Sequence, residues 1–219
     1  MTLDDYKARY GGSDEAAPGW QAIEERLVRV YGDQAPQHWG TVIKHRLGGK
    51  DPIDGVSVYR SQAGGVPHFH ICTYGFSALY YEEDRVGDEV SGYGFELTFR
   101  LRDTGQDIEN LVWPINLQQN LARYVFSSHN VFADGHWIPA NGPIESDADT
   151  DIVGLLFVTD PELGSIDTPH GRVDFLQMVG ITSAEVEDLK ARRRTAREIA
   201  AELAASNPLL ITDLARSSR

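Results

Sequence analysis

Two histidines, His68 and His70, have the type and spacing that most readily support chemistry; they lie in the stretch VPHFHICTYG at residues 66–75. Side chains two positions apart in a β-strand lie on the same face, so the two imidazoles are predicted to be neighbours. A metal site needs a third and usually a fourth ligand. No spacing singles out one further ligand, and the hypothesis of a metal-dependent enzyme takes Glu96 as the third. The acidic and histidine candidates are Glu82, Glu83, Glu96, His129 and His136.

Signatures of other catalytic classes are sparse in the chain. Cys72 is the only cysteine, and a lone cysteine inside a strand is typical of a small buried hydrophobe rather than a nucleophile. The G-x-S-x-G and P-loop patterns are absent, and Gly92-Tyr93-Gly94 precedes a strand rather than the helix that a phosphate cradle requires. We therefore predict a protein that is not an enzyme and that has no cofactor.

Charge and composition limit the class of partner. The 219 residues carry a net charge of -13, with 41% hydrophobic and 24% charged residues. An acidic surface repels nucleic acid and attracts a basic protein. No apolar run approaches the roughly 20 residues that a membrane helix needs, and the N-terminus has no signal-peptide pattern. With one cysteine there is no internal disulfide, so we predict a cytoplasmic protein that binds neither membrane nor nucleic acid.

The elements that position the histidines are predicted from periodicity. A helix begins at Pro18 and ends near Tyr31. Residues 56–60 and 68–74 are predicted to be strands joined as a hairpin, with Phe69 and Ile71 facing away from the histidines. The segment FELTFRL alternates, so its apolar residues are expected in the core. Its polar residues, Glu96, Thr98 and Arg100, are expected to face solvent or a groove.

The remaining segments complete an α+β prediction. Residues 116–126 are predicted to be helical; a turn at Asp134-Gly135 precedes a short strand, and residues 152–158 and 173–179 are predicted strands. A capping box at Thr182–Glu185 begins a final helix that includes the exposed cationic run KARRRTAR. Strands cluster in the middle and helices lie at both ends, which favours a mixed, largely antiparallel sheet. We predict a flexible lead-in over residues 1–17 and a single domain over 18–219.

Several blocks of the sequence, taken together, resemble the Suppressor of fused domain family. The resemblance runs in order from Pro18 to near the C-terminus. Its motif residues are His68, His70, Tyr74, Gly75, Gly92, Gly94, Phe95 and Glu96. The blocks that carry it are PGW at 18–20, LGGKDPIDGVSVYR at 47–60, PHFHICTYGFSALY at 67–80, SGYGFELTFRL at 91–101, LARYVF at 121–126, TPHGRVDFLQMVG at 168–180 and LITDL at 210–214.

This resemblance implies a non-catalytic protein-binding module. Animal members of the family grip a partner peptide as an added strand between two domains, and this chain resembles only the first of them. Single-domain bacterial versions resemble immunity proteins that neutralise a toxin, which is the function that we expect. The resemblance also implies a partner surface around the ARYVF block and the following hairpin. The residues expected there are Tyr124, Phe132, Asp134 and Trp137.

Two alternatives stay open at this point. One is the metal-dependent enzyme that uses His68, His70 and Glu96, and the other is a scaffold or oligomerisation domain. The sequence does not name the partner, the oligomeric state or an open sheet edge.

Overall fold

The computed structural model describes residues 1–13, 15–146 and 148–218, apart from the side chain of Arg46. Strands occupy the middle of the chain, and helices lie towards both ends. The helices are α1 (Leu3–Tyr10), α2 (Pro18–Tyr31), α3 (Val112–Ser128), α4 (Ser183–Lys190) and α5 (Ala196–Ser206). The strands are β1 (Gln37–Gly40), β2 (Gly55–Ser61), β3 (His68–Tyr74), β4 (Val90–Arg102), β5 (Trp137–Pro139), β6 (Ile152–Thr159), β7 (Ser165–Thr168) and β8 (Gly171–Thr182).

The strands form one sheet in the order β1-β2-β3-β4-β8-β6-β5, and β7 pairs with β8 beside this path. Only the pairing of β4 with β8 is parallel among the strands described. The predicted hairpin is β2–β3, with Val58 opposite Ile71. The predicted α+β class with a mixed, largely antiparallel sheet is therefore confirmed.

One face of the sheet packs against α3 and holds the main hydrophobic core. Phe69 and Ile71 of β3 lie in this core, beneath Leu121 and Val125 of α3. The four apolar residues that alternation predicted for β4 also lie there: Phe95, Leu97, Phe99 and Leu101. The strand-period pattern therefore identified the core side of the sheet correctly.

The opposite face is also buried, and this corrects one prediction. Glu96, Thr98 and Arg100 were expected to face solvent or a groove, but all three are 0% exposed. Helix α2 covers this face on one side through Ile23 and Leu27, and α4 and α5 cover it on the other. The alternation along β4 therefore separates an apolar face from a polar face, and both faces are buried. It does not separate a buried face from a solvent-exposed one.

The C-terminal helical region is two helices rather than the single one predicted. Helix α4 ends at Lys190, and Arg192 adopts a left-handed conformation (φ 54°) that interrupts the helical path. A second capping box then begins α5, in which Thr195 accepts from the Glu198 amide and Glu198 returns a bond to the Thr195 amide. The break lies inside the cationic run, so Arg192, Arg193 and Arg194 belong to a turn, whereas Arg197 lies in α5.

A helix also occupies part of the segment that we predicted to be a flexible lead-in. Helix α1 begins at a Thr2 cap and buries Tyr6 completely. The Tyr6 hydroxyl lies 2.7 Å from Nε2 of His170 and accepts from the Glu82 amide at 3.1 Å. An eight-residue helix is marginal alone, so docking through Tyr6 stabilises it. Asp14 lies outside the described residues, and the domain limits 18–219 stay a prediction.

The LITDL block closes a gap in the sheet. The ladder of β4 and β8 runs as far as Phe99 opposite Met178. Beyond it, the Thr212 amide donates to the Arg100 carbonyl at 2.8 Å, and the Arg102 amide donates to the Thr212 carbonyl at 2.9 Å. The Gly180 amide donates to Thr212 Oγ1 at 2.9 Å from the other side. Thr212 thus bridges two strands that no longer contact each other directly.

The docking of α1 gives a first testable prediction. Replacing Tyr6 with phenylalanine removes the hydroxyl that serves both His170 and the Glu82 amide. A buried polar group left without a partner costs about 1–3 kcal/mol, so we expect a loss of that size in the free energy of unfolding, measured by urea denaturation. The control is Lys7→Ala, which removes only an exposed ion pair with Glu83 and should leave the free energy of unfolding close to that of wild type. Equal stabilities of wild type and Tyr6→Phe would contradict the docking role.

Candidate functional site

His70 lies at the centre of the polar layer, fully buried under α2. Its Nδ1 is 2.5 Å from the Tyr31 hydroxyl and its Nε2 is 3.1 Å from Oδ2 of Asp160. Burial lowers the pKa of His70, and the Arg100 charge acts in the same direction. The neutral imidazole therefore donates from Nε2 to Asp160 and accepts the Tyr31 proton at Nδ1. Both ring nitrogens are used internally.

Asp160 holds this layer together with Arg100. Nη1 and Nη2 of Arg100 bind the two carboxylate oxygens at 2.6 and 3.1 Å, and both side chains are buried. The Thr98 hydroxyl and the amides of residues 162 and 163 also donate to Asp160. Burial alone would raise the pKa of Asp160, but His70 and Arg100 outweigh it and hold that pKa well below its usual range. Asp160 is therefore ionised and fully satisfied.

Glu96 serves a different purpose at the other end of the polar face. Its carboxylate accepts from the Thr73 hydroxyl at 2.7 Å, from the Gly75 amide at 3.0 Å and from both the amide and hydroxyl of Ser77. Burial raises its pKa, although these donors oppose the shift. Gly75 has φ 146°, and a Cβ there would lie 2.9 Å from the Asp54 amide nitrogen. Glu96 thus fastens the turn that follows β3.

The metal hypothesis does not agree with this geometry. In the pairing of β3 with β4, His70 lies opposite Arg100 and Cys72 lies opposite Thr98. Glu96 is four residues from Arg100 along β4, so it lies about 13 Å from the position opposite His70. His68 donates from Nδ1 to the Val66 carbonyl at 2.7 Å. No group of three metal-ligating side chains occurs in the part of the chain that the structure describes. Burial raises the pKa of the Cys72 thiol, which makes it a poor nucleophile.

The four residues expected at a partner surface lie close in sequence but differ in exposure. Tyr124 is 47% exposed near the end of α3, whereas Phe132 is 7% exposed and stacks on Phe157 at 4.2 Å. Asp134 accepts from the Thr159 amide and pairs with Arg197 of α5 at 3.1 Å. Trp137 is partly buried against the cluster beneath α4 and α5. Only Tyr124 among them presents a large exposed ring.

Large exposed hydrophobic side chains lie at the end of α3, in the segment that follows it and in the loop between β1 and β2. Of the ten large hydrophobic side chains that the described residues expose, five lie there: Val42, Ile43, Leu47, Tyr124 and Val131. The loop that carries Val42 and Leu47 is fixed to α3 through His45, whose ring lies 5.2 Å from Phe126. Phe126 in turn contacts Tyr93 at 4.8 Å. We call these five side chains the α3-end surface.

Strand β5 lies at the opposite end of the sheet path from β1, and it follows the segment that carries Val131. The Phe157 amide donates to the His136 carbonyl at 2.9 Å, and the Ala140 amide donates to the Val153 carbonyl at 2.8 Å. Because bonded residues alternate along an antiparallel strand, the backbone N–H and C=O of Trp137 point away from β6. These groups can accept an added strand.

Comparison with known proteins assigns the chain to a family. The model for the family described as Suppressor of fused protein (SUFU) matches residues 49–217. This chain belongs to the SUFU family. The human and mouse proteins named Suppressor of fused homolog are each 39% identical to it over 213 residues, which are 90% of this chain and 43% of theirs. The chain therefore spans less than half the length of these relatives.

Solved structures of SUFU proteins share the architecture. The structure described as the Sufu-Fu complex matches with a TM-score of 0.83 and 35% identity over 93% of each chain. Drosophila Suppressor of Fused matches with a TM-score of 0.82 and 34% identity, over 94% of this chain and 52% of that one. A putative homolog from Neisseria gonorrhoeae has 14% identity and a TM-score of 0.57, which shows the common fold alone.

Three of the residues that we predicted to form a family motif make structural contacts. His70 and Glu96 both make internal hydrogen bonds, and Gly75 permits a close backbone contact. Asp160 and Tyr31 were missed, because Asp160 follows an apolar strand and Tyr31 ends a helix, and neither position signals a long-range partner.

No helix among the described residues is long and apolar enough to cross a membrane.

The buried ion pair gives a prediction about stability. Replacing Asp160 with asparagine leaves the buried Arg100 guanidinium with only the partly exposed carboxylate of Glu162 as a counter-charge. We expect the free energy of unfolding to fall by about 3–5 kcal/mol in urea denaturation. The control is Asp174→Asn on the β7–β8 hairpin, whose exposed pair with Arg172 should contribute less than about 1 kcal/mol. A loss no larger than that of the control would show that the pair is not what stabilises this layer.

His70 gives a prediction about pH. Its folded-state pKa lies below the ordinary value, so the unfolded chain binds a proton more readily. The contribution of His70 to stability is therefore complete above about pH 6.5 and is lost as the pH falls towards its folded-state pKa. We expect the free energy of unfolding to fall between about pH 6.5 and 5, with a shallower slope in His70→Gln. Urea denaturation across this range tests it, and parallel profiles would refute it.

Proposed function

We propose that this SUFU-family chain is a non-catalytic module that binds a segment of a partner protein on the α3-end surface and the open side of β5. The observations that carry the proposal are the exposed apolar side chains of the α3-end surface and the backbone groups of β5 that face away from the sheet. Apolar residues and an open edge are what β-strand addition uses. The Sufu-Fu complex shows that a similar protein binds a protein partner.

The polar layer supports a non-catalytic role. Both nitrogens of His70, both oxygens of Asp160 and both oxygens of Glu96 are occupied by internal partners. These groups are buried, so a substrate does not reach them. The histidine pair therefore contributes to the fold that presents the binding surface, and the geometry gives the metal-dependent alternative no support.

The partner's character is a finer part of the proposal. A net charge of -13 favours encounter with a basic protein by long-range attraction. The immunity-type function that the sequence led us to expect, in which the chain neutralises a toxin in a bacterial cytoplasm, fits this charge. The single cysteine is buried, which also suits a reducing compartment.

The test begins with tagged protein recovered from its native cells, whose stoichiometric partner is identified by mass spectrometry and prepared pure. Binding is then measured by calorimetry for wild type, Leu47→Asp and Tyr124→Asp. A charge in the centre of an apolar interface should weaken binding by about tenfold or more. The matched control is Val28→Asp, because Val28 is 55% exposed on α2, on the opposite face of the sheet.

Two outcomes would count against the proposal. Unchanged binding by Leu47→Asp and Tyr124→Asp, with a loss in Val28→Asp, would place the interface elsewhere. A turnover reaction on the partner, lost when His70 is replaced in a protein that still folds, would favour an enzyme.

A further inference from the structure

A second concave feature lies at the other end of α3 from the α3-end surface. It is a cleft of about 480 Å³, in the size range of small-ligand sites. Its walls are the end of β4 and the loop that follows, the start of α3, the β5–β6 loop and the end of the LITDL block with Ala215. Leu101, Leu111 and Leu214 give it apolar walls, and Trp113 adds a partly exposed ring.

The walls of the cleft are fixed by contacts between distant parts of the chain. Trp113 contacts Phe99 of the core edge to face, with ring centres 6.0 Å apart. The Thr150 hydroxyl donates to the Leu214 carbonyl at 2.6 Å and so joins the β5–β6 loop to the C-terminal segment. The cleft is therefore formed before a ligand arrives, which lowers the entropic cost of binding.

The charges in the cleft are unbalanced. Among the described residues, three carboxylates line the cleft, from Glu145, Asp149 and Asp213, against one guanidinium, that of Arg102. Arg102 already pairs with Asp213 at 2.5 Å. No cation of the described residues pairs with Glu145 or Asp149. Burial raises the pKa of Glu145, so its carboxylate is partly withdrawn from water without a compensating charge.

We propose that this cleft receives a cationic side chain of the partner protein, arginine in particular, between the Trp113 ring and the carboxylates of Glu145 and Asp149. The proposal rests on the protein-binding function above and adds the chemistry of one contact. A guanidinium is planar, stacks on an indole and donates in a fork that matches a carboxylate. Lysine has the charge but not the planar fork, so it should bind less well.

The probe that tests the cleft is N-acetyl-arginine methylamide, with the uncharged citrulline analogue as its matched control. The indole N–H signals of the four tryptophans are followed by NMR, and Trp113→Phe identifies the signal of Trp113. We expect the arginine probe to shift that signal saturably at low salt and the citrulline probe to bind about tenfold more weakly. Glu145→Gln should weaken arginine binding about fivefold, while the other three indole signals report that the fold is intact.

Tyr124→Asp separates this proposal from the proposed function. That variant should bind the arginine probe as wild type does and yet lose the partner. Equal shifts with arginine and citrulline, or an arginine affinity unchanged by Glu145→Gln, would overturn the cleft proposal even if the partner binds at the α3-end surface. Arginine binding that persists when no partner binds would leave the cleft intact and overturn the protein-binding function.

Discussion

The buried pairing of Arg100 with Asp160 is the constraint on which the polar half of this structure depends. A guanidinium and a carboxylate without water are tolerated only when geometry and further hydrogen bonds are nearly complete. Here Arg100 lies on the central strand β4, and Asp160 directly follows β6. His70 of β3 contacts Asp160, and it also contacts Tyr31 of α2. Four elements must therefore be in register at once, which makes the pair a strong determinant of one specific packing.

This arrangement gives a structural role to the residues that we predicted to form a family motif. Two histidines on one strand have the spacing of metal ligands, but the hydrogen-bond partners of each ring nitrogen determine its role. His70 transfers no proton to a ligand, because its neighbours are Tyr31 and Asp160. The Glu96 carboxylate accepts hydrogen bonds from the turn after β3, which is a different role from that of a metal ligand. The surface that we propose for binding includes the end of α3, where apolar side chains are exposed to water.

Sequence periodicity predicted most elements, because each depends on its own residues. Helix α2, the β2–β3 hairpin and the core side of β4 followed from local spacing. The burial of Arg100 did not follow, since it depends on α2 and on residues 209–212, which are remote in the chain. Docking of α1 was missed for the same reason: Tyr6 finds His170 across 164 residues. The residues expected at a partner surface were predicted from the resemblance to the family. Phe132 is more buried than a surface residue should be.

The Thr212 bridge has a consequence for how the chain folds as it is synthesised. The central parallel seam joins residues near 99 and 178, and its continuation joins Leu101 to Thr212. Contacts of such long sequence separation form slowly, because a large loop must close first. The ribosome must therefore deliver more than 210 residues before the sheet is complete, and residues 100–102 of β4 keep an unpaired edge until Thr212 is available. A nascent chain of this kind benefits from protection of β4 until its C-terminal segment emerges.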